Sequence, residues 1–325
     1  MHSFEYGSPA TLKDALGLLG NSWSDAAVLA GGTDLISSMK DHIATPKRVV
    51  NIKGIKELSG ISKSGGGLRI GAAVTVDELM ENALVRAEYP SLVAAAHGMG
   101  SPQVRNMGTV GGDLCQRPRC WYFRNGFGLL GMKGGKSLID NGQNEFHAIF
   151  PKGPAKFVSA SSFGPALIAL GAKLKIAGAS GNREVAAADF FKSPMSETDR
   201  EIDLKPNEIL TEILIPSAKG AKNATYEVRQ REGMDWPLAT ASVVLTMKGS
   251  NVSTASIVLG HVGPTPVVAA DAAKSLAGKA ITEETAAAAG KAAVAGAMPL
   301  SDNGYKVKLA EVAVKRALLA AAGKA

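Results

Sequence analysis

The sequence is poor in cysteine and in aromatic residues. Of its 325 residues only Cys115 and Cys120 are cysteines, which excludes a disulfide-rich secreted scaffold and a metal cluster held by four thiolates of this chain alone. Aromatic residues make up 5% of the chain, so few side chains are available to stack on nucleic-acid bases. The net charge is +7, but the basic residues are spread along the chain, and nucleic-acid binding is therefore disfavoured.

Long apolar runs are missing as well. No uninterrupted run reaches the roughly 20 apolar residues that span a bilayer, so membrane insertion is not expected. The first residues lack a basic segment followed by an apolar one, and a secretory signal is not expected either. The hydrophobic content of 46% is ordinary for a globular protein, and the length allows about two domains.

Glycine, in contrast, is abundant, with 37 residues against an average of about 7%. Several glycines and arginines fall in residues 116–150, which show little periodicity and are predicted to form a long surface excursion. Such an excursion is either a solvated loop or a surface that docks on a partner subunit. The small, polar and basic stretch 217–223 predicts a boundary between domains of residues 1–217 and 218–325.

The hydrophobic patterns predict an α+β protein. In the first domain they predict strands at 26–32, 47–52, 67–75, 155–162, 172–178 and 208–216, and helices at 10–20, 76–85, 91–99 and 166–170. Thr75 is suited to cap the second of these helices. The second domain is predicted as three antiparallel strands, with a hairpin turn at 249–251, followed by helices at 267–277, 282–297 and 303–322.

Two short glycine motifs carry the functional signal. The first is LAGGTDL (29–35), directly after a buried strand, and the second is NMGTVGGDL (106–114). Glycine lets successive backbone N–H groups converge and lets a phosphate approach without a Cβ clash, while Thr adds a donor and Asp an acceptor for a ribose hydroxyl. One such motif alone is more simply a tight turn. Two together favour a clamp for a diphosphate, although neither matches the Rossmann or P-loop pattern.

These motifs have a family resemblance. AGGTDL, VRNMGTVGGDL and NEILTEILIP, followed by a basic segment that ends in Asp-Trp, resemble the FAD-binding (medium) subunit of molybdenum hydroxylases. This is the family of xanthine dehydrogenase, aldehyde oxidoreductase and carbon monoxide dehydrogenase. The resemblance covers nearly the whole chain, and the stretch LCQRPRCWYFRN is most similar to the aldehyde oxidoreductase, YagS-like, branch.

The resemblance implies an FAD-binding domain of two α+β subdomains (PCMH/VAO type). A smaller α+β domain with a three-stranded antiparallel sheet and a three-helix bundle would follow it. It also implies which residues contact FAD: Ala30, Gly31, Gly32, Thr33, Asp34, Leu35, Gly100, Thr109, Gly111, Gly112, Asp113, Ser162, Leu210, Arg229 and Arg231. Asp235 lies in the same C-terminal segment as Arg229 and Arg231, which is beside the flavin in the family.

Three features depart from the family pattern. Ser162 stands where many relatives have an Asp near the flavin, and Glu227 stands where a Lys often precedes the arginines. A carboxylate there should disfavour the anionic reduced flavin and lower the flavin potential. The YagS-like branch carries a [4Fe–4S] cluster in the excursion, but two of its cysteines have no counterpart here, so we expect the cluster to be absent. Cys115 and Cys120 would then be inert thiols, a disulfide, or ligands of a metal shared with a partner.

The resemblance implies an electron-transfer role without a catalytic acid, base or nucleophile in this chain. Electrons would reach FAD from [2Fe–2S] centres of a small subunit, after substrate oxidation at a molybdenum cofactor on a large subunit of a heterotrimer. A self-contained flavin oxidase and a structural subunit without redox function are the alternatives. We expect a cytoplasmic location, or a periplasmic one if the folded complex is exported on a partner's signal.

Overall fold

The computed structural model describes residues 1–231 and 235–324. The strands are β1 (Glu5–Gly7), β2 (Ala26–Leu29), β3 (Arg48–Asn51), β4 (Ile61–Ser64), β5 (Gly67–Gly71), β6 (Met132–Lys133), β7 (Lys136–Ser137), β8 (Lys173–Gly178), β9 (Gly181–Ala186), β10 (Glu208–Ile215), β11 (Ala221–Val228), β12 (Ala239–Lys248), β13 (Asn251–Gly260) and β14 (Val267–Val268). The α-helices are α1 (Leu12–Gly17), α2 (Leu35–Lys40), α3 (Val76–Glu81), α4 (Ala83–Glu88), α5 (Pro90–His97), α6 (Pro102–Met107), α7 (Val110–Cys115), α8 (Trp121–Arg124), α9 (Phe163–Ala169), α10 (Ala187–Phe190), α11 (Ala270–Ser275), α12 (Glu283–Ala293) and α13 (Tyr305–Ala321).

The first subdomain is a small parallel sheet with the strand order β1-β3-β2. Strand β2 pairs with β3 through Ala26–Leu29 and then runs directly into the first glycine motif. Its inner face packs on α1 through buried Ala15, Ala26 and Val50. The glycine motif therefore lies at the carboxyl end of a parallel strand, the edge at which α/β sheets bind ligands.

The second subdomain is an antiparallel sheet with the order β4-β5-β10-β8-β9. Helices α3, α5 and α9 cover it and share a core that includes Ile70, Leu92 and Ile213. Thr75 caps α3 in a capping box with Glu78, as predicted. The helix predicted at 76–85 is divided in two, because the Asn82 side chain accepts from the first amides of α4 and starts a new helix.

The C-terminal unit is an antiparallel sheet, β11-β12-β13-β14, with α11, α12 and α13 packed on it. The β12–β13 hairpin turns at the predicted place. The two-residue strand β14 adds a fourth strand to the three that were predicted. Among the described residues, no helix combines the length and hydropathy required to cross a bilayer.

Two predicted features are wrong. Residues 155–162 form no strand beyond an isolated bridge at Ala155, because donors at 161–163 bind a buried carboxylate and turn the chain into α9. Residues 116–150 are not a solvated excursion. Their apolar side chains, irregularly spaced in sequence, form a separate small core in which Phe123 and Leu129 pack with Phe157.

Candidate functional site

A cleft of about 650 Å³ opens between the parallel sheet, helices α6 and α7, and the segment that precedes β12. Its volume is in the range of cofactor sites. Fourteen of the fifteen predicted cofactor-binding residues line it: Ala30, Gly31, Gly32, Thr33, Asp34, Leu35, Gly100, Thr109, Gly111, Gly112, Asp113, Ser162, Leu210 and Arg229. Arg231 is the exception, because its guanidinium pairs with Asp235 at 3.0 Å and its side chain is 84% exposed.

The two glycine motifs are in direct backbone contact. A Cβ on Gly31 would overlap the carbonyl oxygen of Met107. A Cβ on Gly111 would stand 2.7 Å from the Cβ of Ala72, in the turn before α3. Both positions require glycine because two backbone segments meet there. This packing requirement adds to the predicted one, that a phosphate can approach glycine without a Cβ clash.

The first motif presents free amide groups to the cleft. The backbone N–H groups of residues 31–35 donate to no acceptor in the described part of the chain, and these residues line the cleft. Gly32 has a φ of +76°, in the left-handed region that glycine adopts without strain. Consecutive free amides in such a turn form a concave site for an anion.

Most backbone N–H groups of the second motif already donate to acceptors within the protein. The N–H groups of Val110 and Gly111 donate, each at 2.9 Å, to carbonyl groups of the turn before α3. Thr109 Oγ1 accepts from the N–H of Gly112 at 3.0 Å and so caps α7. The Thr109 hydroxyl itself donates to no described residue, so this motif offers a ligand one hydroxyl donor and a tight backbone wall.

Asp34 holds chain segments together. One of its carboxylate oxygens accepts from Arg124 at 2.7 Å and lies 3.2 Å from Arg119. The other oxygen accepts from the backbone N–H of Arg117 at 2.8 Å. These contacts fix the beginning of the 116–150 segment against the first glycine motif, at the wall of the cleft.

Asp113 has a similar position in the second motif. Its carboxylate accepts from the Ser161 hydroxyl at 2.5 Å and from the backbone N–H groups of Ser162 and Phe163 at 3.2 and 3.0 Å. Burial raises the pKa of Asp113 to about 6, against the effect of these donors. The carboxylate thereby sets the position of Ser162 on the cleft wall.

The C-terminal segment contributes Arg229 to the cleft. Its guanidinium bonds to the Glu227 carboxylate on one side and to the carbonyl oxygen of Asp235 on the other. The Glu227 side chain is buried next to this guanidinium. Its carboxylate occupies the space that a Cβ at position 98 would take, so Gly98 makes room for it. Burial raises the pKa of Glu227, although the Arg229 charge acts in the opposite direction.

Leu210 and Gly100 complete the predicted lining. Leu210 comes from the central strand β10 and is buried. Gly100 has a φ of +47° and turns the chain between α5 and α6. Leu210 thus supplies an apolar surface, which suits a flat ring system.

Sequence reasoning missed several side chains that line the cleft, among them Trp23, Arg200 and Trp236. Arg200 stacks on Trp23, with its guanidinium carbon 4.1 Å from the ring centroid. Arg119 stacks on Trp236 at 4.9 Å. The arginines after the second motif were visible in the sequence as a basic cluster. Arg200 gave no such signal, because it lies in an irregular loop far along the chain.

Both cysteines are free thiols in the structure. Cys115 lines the cleft, and burial raises the pKa of its thiol to about 12, so it is unreactive. Cys120 lies in the 116–150 segment with its Sγ 3.2 Å from Nε2 of His147. Within residues 1–231 and 235–324, no cluster of three or more His, Cys, Asp or Glu side chains is arranged to hold a metal ion.

Comparison with known proteins identifies the family of this chain. A family model described as the FAD binding domain in molybdopterin dehydrogenase matches residues 2–218, and one described as the CO dehydrogenase flavoprotein C-terminal domain matches residues 224–321. The carbon monoxide dehydrogenase medium chain of Hydrogenophaga pseudoflava is 33% identical over 323 residues, covering 98% of this chain and 96% of the relative. The aldehyde oxidoreductase FAD-binding subunit of Escherichia coli is 29% identical over 296 residues, 88% of each chain. A crystal structure of the Cu,Mo-CO dehydrogenase aligns with a TM-score of 0.79 at 31% identity, over 100% of this chain and 99% of that chain.

Proposed function

This chain belongs to the family of FAD-binding subunits of molybdenum hydroxylases, and from that premise we propose that it is the electron-transfer flavoprotein of such a complex. Its partners would be a large subunit with the molybdenum cofactor and a small subunit with [2Fe–2S] centres. Relatives named medium chain or FAD-binding subunit, matched over most of their length, support this arrangement. Assignment to the YagS-like branch stays a prediction.

The residues present fit FAD. The observation that carries the proposal is the row of free amides at residues 31–35, which line a cleft of about 650 Å³. Free N–H groups suit a diphosphate, and the buried Leu210 suits an isoalloxazine ring. The fourteen predicted residues that line the cleft, with Arg231 excepted, are the ones we propose to hold the cofactor.

Bound FAD would supply a carrier that exchanges single electrons with iron–sulfur centres and electron pairs with an external acceptor. The protein supplies the surroundings. Residues 31–35 and the Thr109 hydroxyl bind the diphosphate, Asp113 orients Ser162, and β10 presents Leu210. The chain needs no catalytic acid or base in this role.

The charge of the pair Glu227–Arg229 bears on the choice of acceptor. Glu227 neutralises the guanidinium that lines the cleft, so the site has less positive charge than a Lys at position 227 would give it. A less positive site disfavours an anionic reduced flavin and lowers the flavin potential. We therefore propose a lower potential than in relatives with the Lys.

We also propose two domains, 1–217 and 218–325. Support comes from the two family models, of which one ends at residue 218 and the other begins at residue 224. The absence of a [4Fe–4S] cluster is proposed as well, since the chain has only two cysteines. Iron analysis of the separated chain tests this last point, and bound iron would contradict it.

The native complex, purified from its source, provides the decisive experiment. We expect one FAD per copy of this chain, and we expect removal of FAD to stop electron delivery to soluble acceptors while dithionite still reduces the iron–sulfur centres. A chain that lacks flavin and takes up no added FAD would contradict the proposal and favour a structural subunit. Turnover of an aldehyde by the isolated chain would favour a flavin oxidase instead.

A further inference from the structure

Arg200 faces the cleft without a counter-charge. It lines the cleft, and it makes no salt bridge or side-chain hydrogen bond with any described residue. Its Nε is buried and has no acceptor, while the guanidinium carbon lies over the ring of Trp23, 4.1 Å from the centroid. A guanidinium that is withdrawn from water and left unpaired is costly unless an anion completes the site.

The carboxylates closest to Arg200 are already engaged. Glu201 accepts from Nε of Arg117, and Asp34 is bound by Arg124 and Arg119. Asp113 acts on Arg119 as well, so four guanidinium groups face three carboxylates, which leaves a charge of +1 in this cluster. Burial, and to a smaller extent the charge of Arg117, lowers the pKa of Arg200 to about 10, which leaves it cationic at neutral pH.

The other carboxylates on the cleft wall do not supply the missing charge. Glu208 is paired with Arg183 at 2.9 Å, and Asp235 is paired with Arg231 at 3.0 Å. Asp113 accepts from neutral donors, and its charge, which acts on Arg119, is already counted above. Arg119 adds a second unsatisfied donor, because its Nε is also buried without an acceptor.

We propose that Arg200 and Arg119 form a phosphate subsite in the cleft, beside the free amides of residues 31–35. A planar guanidinium binds phosphoryl oxygens through paired N–H donors, and stacking on Trp23 fixes its plane. The phosphate belongs either to FAD or to a nucleotide that acts as the external acceptor. This inference rests on the proposed function, because it names a ligand group for the same cleft.

The test compares ligands with and without phosphate. We would measure the dissociation constants of FAD, riboflavin and inorganic diphosphate for the apoprotein by Trp fluorescence, in the wild type, Arg200→Gln and Arg200→Lys. Arg86→Gln is the matched control, since Arg86 is an exposed arginine paired with Glu81 on the surface. The midpoint of urea unfolding of each variant separates loss of binding from loss of fold.

We expect Arg200→Gln to raise the dissociation constants of FAD and diphosphate at least tenfold, with riboflavin unchanged and partial rescue by Arg200→Lys. If FAD binding is unchanged but the FAD-loaded protein loses diphosphate binding, the subsite serves a second nucleotide. Unchanged binding of both, in a folded variant, would overturn the inference. Failure of the wild type to bind FAD would contradict the proposed function alone, since diphosphate still reports on the subsite.

Discussion

Individual glycines of the two motifs are fixed by backbone contact. The Cα of Gly31 faces the carbonyl oxygen of Met107 in the other motif, at a distance that leaves no room for a methyl group. The identity of this residue is therefore set before any ligand binds. Glycine at this position lets the two motifs of the proposed diphosphate site come into contact.

Gly31→Ala should therefore remove FAD binding as well as stability. Overpacking at this contact should lower the free energy of unfolding by about 1–3 kcal/mol and separate the motifs. Calorimetry and the flavin content of the purified variant measure both effects. Gly17→Ala is the control, since nothing lies near its Cβ position in α1 and we expect no loss. Wild-type FAD content in Gly31→Ala would contradict this prediction.

Two buried histidines make the fold sensitive to acid. Burial and the Lys306 charge lower the pKa of His147 to about 4 and of His261 to about 3. The unfolded chain protonates near pH 6.5, so it binds more protons than the native state below that pH. The free energy of unfolding should fall on acidification from pH 6.5 to about 4, by about 1.4 kcal/mol per pH unit for each histidine.

Urea unfolding at pH 7.5 and 5.5 measures this effect. His261→Asn, which retains a side chain suited to the left-handed φ of 59° there, should lose about 1 kcal/mol less than the wild type between the two pH values. His97→Asn, at an exposed position on α5, should behave as the wild type does. An identical pH dependence in all three proteins would show that His261 does not titrate as proposed.

At the scale of elements, the strands and helices with regular periodicity were predictable from the sequence. The segment that is held in place by a distant side chain was not. Strands β5, β8 and β10 and the cap at Thr75 follow from alternation and capping rules that act within a few residues. The 116–150 segment was misread because its order depends on Asp34, more than 80 residues away in sequence. Fourteen cleft residues were predicted because they belong to family motifs, whereas Arg200 is brought there only by the tertiary fold.

Asp34→Asn should loosen this segment. Arg119 and Arg124 would lose the charge of their shared, partly buried carboxylate, and a hydrogen bond to a charged group contributes about 1.5–3 kcal/mol. Hydrogen exchange of residues 117–124 should accelerate, and trypsin should cut at these arginines. Asp25→Asn removes an exposed carboxylate 3.4 Å from Lys47 and is the control, since an ion pair in solvent contributes little to stability. Unchanged protection in Asp34→Asn would contradict the anchoring role.

At the scale of the whole molecule, the two proposed domains share one segment. Ile149, which belongs to the sequence of the first domain, is buried in the core of the C-terminal unit. The Lys306 ammonium donates to the carbonyl oxygens of Phe146, His147 and His261 at 3.1, 3.0 and 2.9 Å. Asn303 donates to the carbonyl oxygen of His147 as well. The sequence boundary at 217 is thus crossed by a strap of residues 144–150.

Residues 218–325 alone should therefore be less stable than they are in the full chain. Without the strap, the Lys306 ammonium loses two of its three carbonyl acceptors, and the site of Ile149 becomes a cavity, a loss of about 2–5 kcal/mol. Urea unfolding of the fragment should show a lower midpoint, which a synthetic peptide of residues 143–151 should raise. A peptide with Ile149→Ser is the matched control and should be ineffective. A fragment as stable as the full chain would show that the strap adds nothing to the C-terminal unit, whereas the predicted loss means that residues of the first domain complete the core of the second.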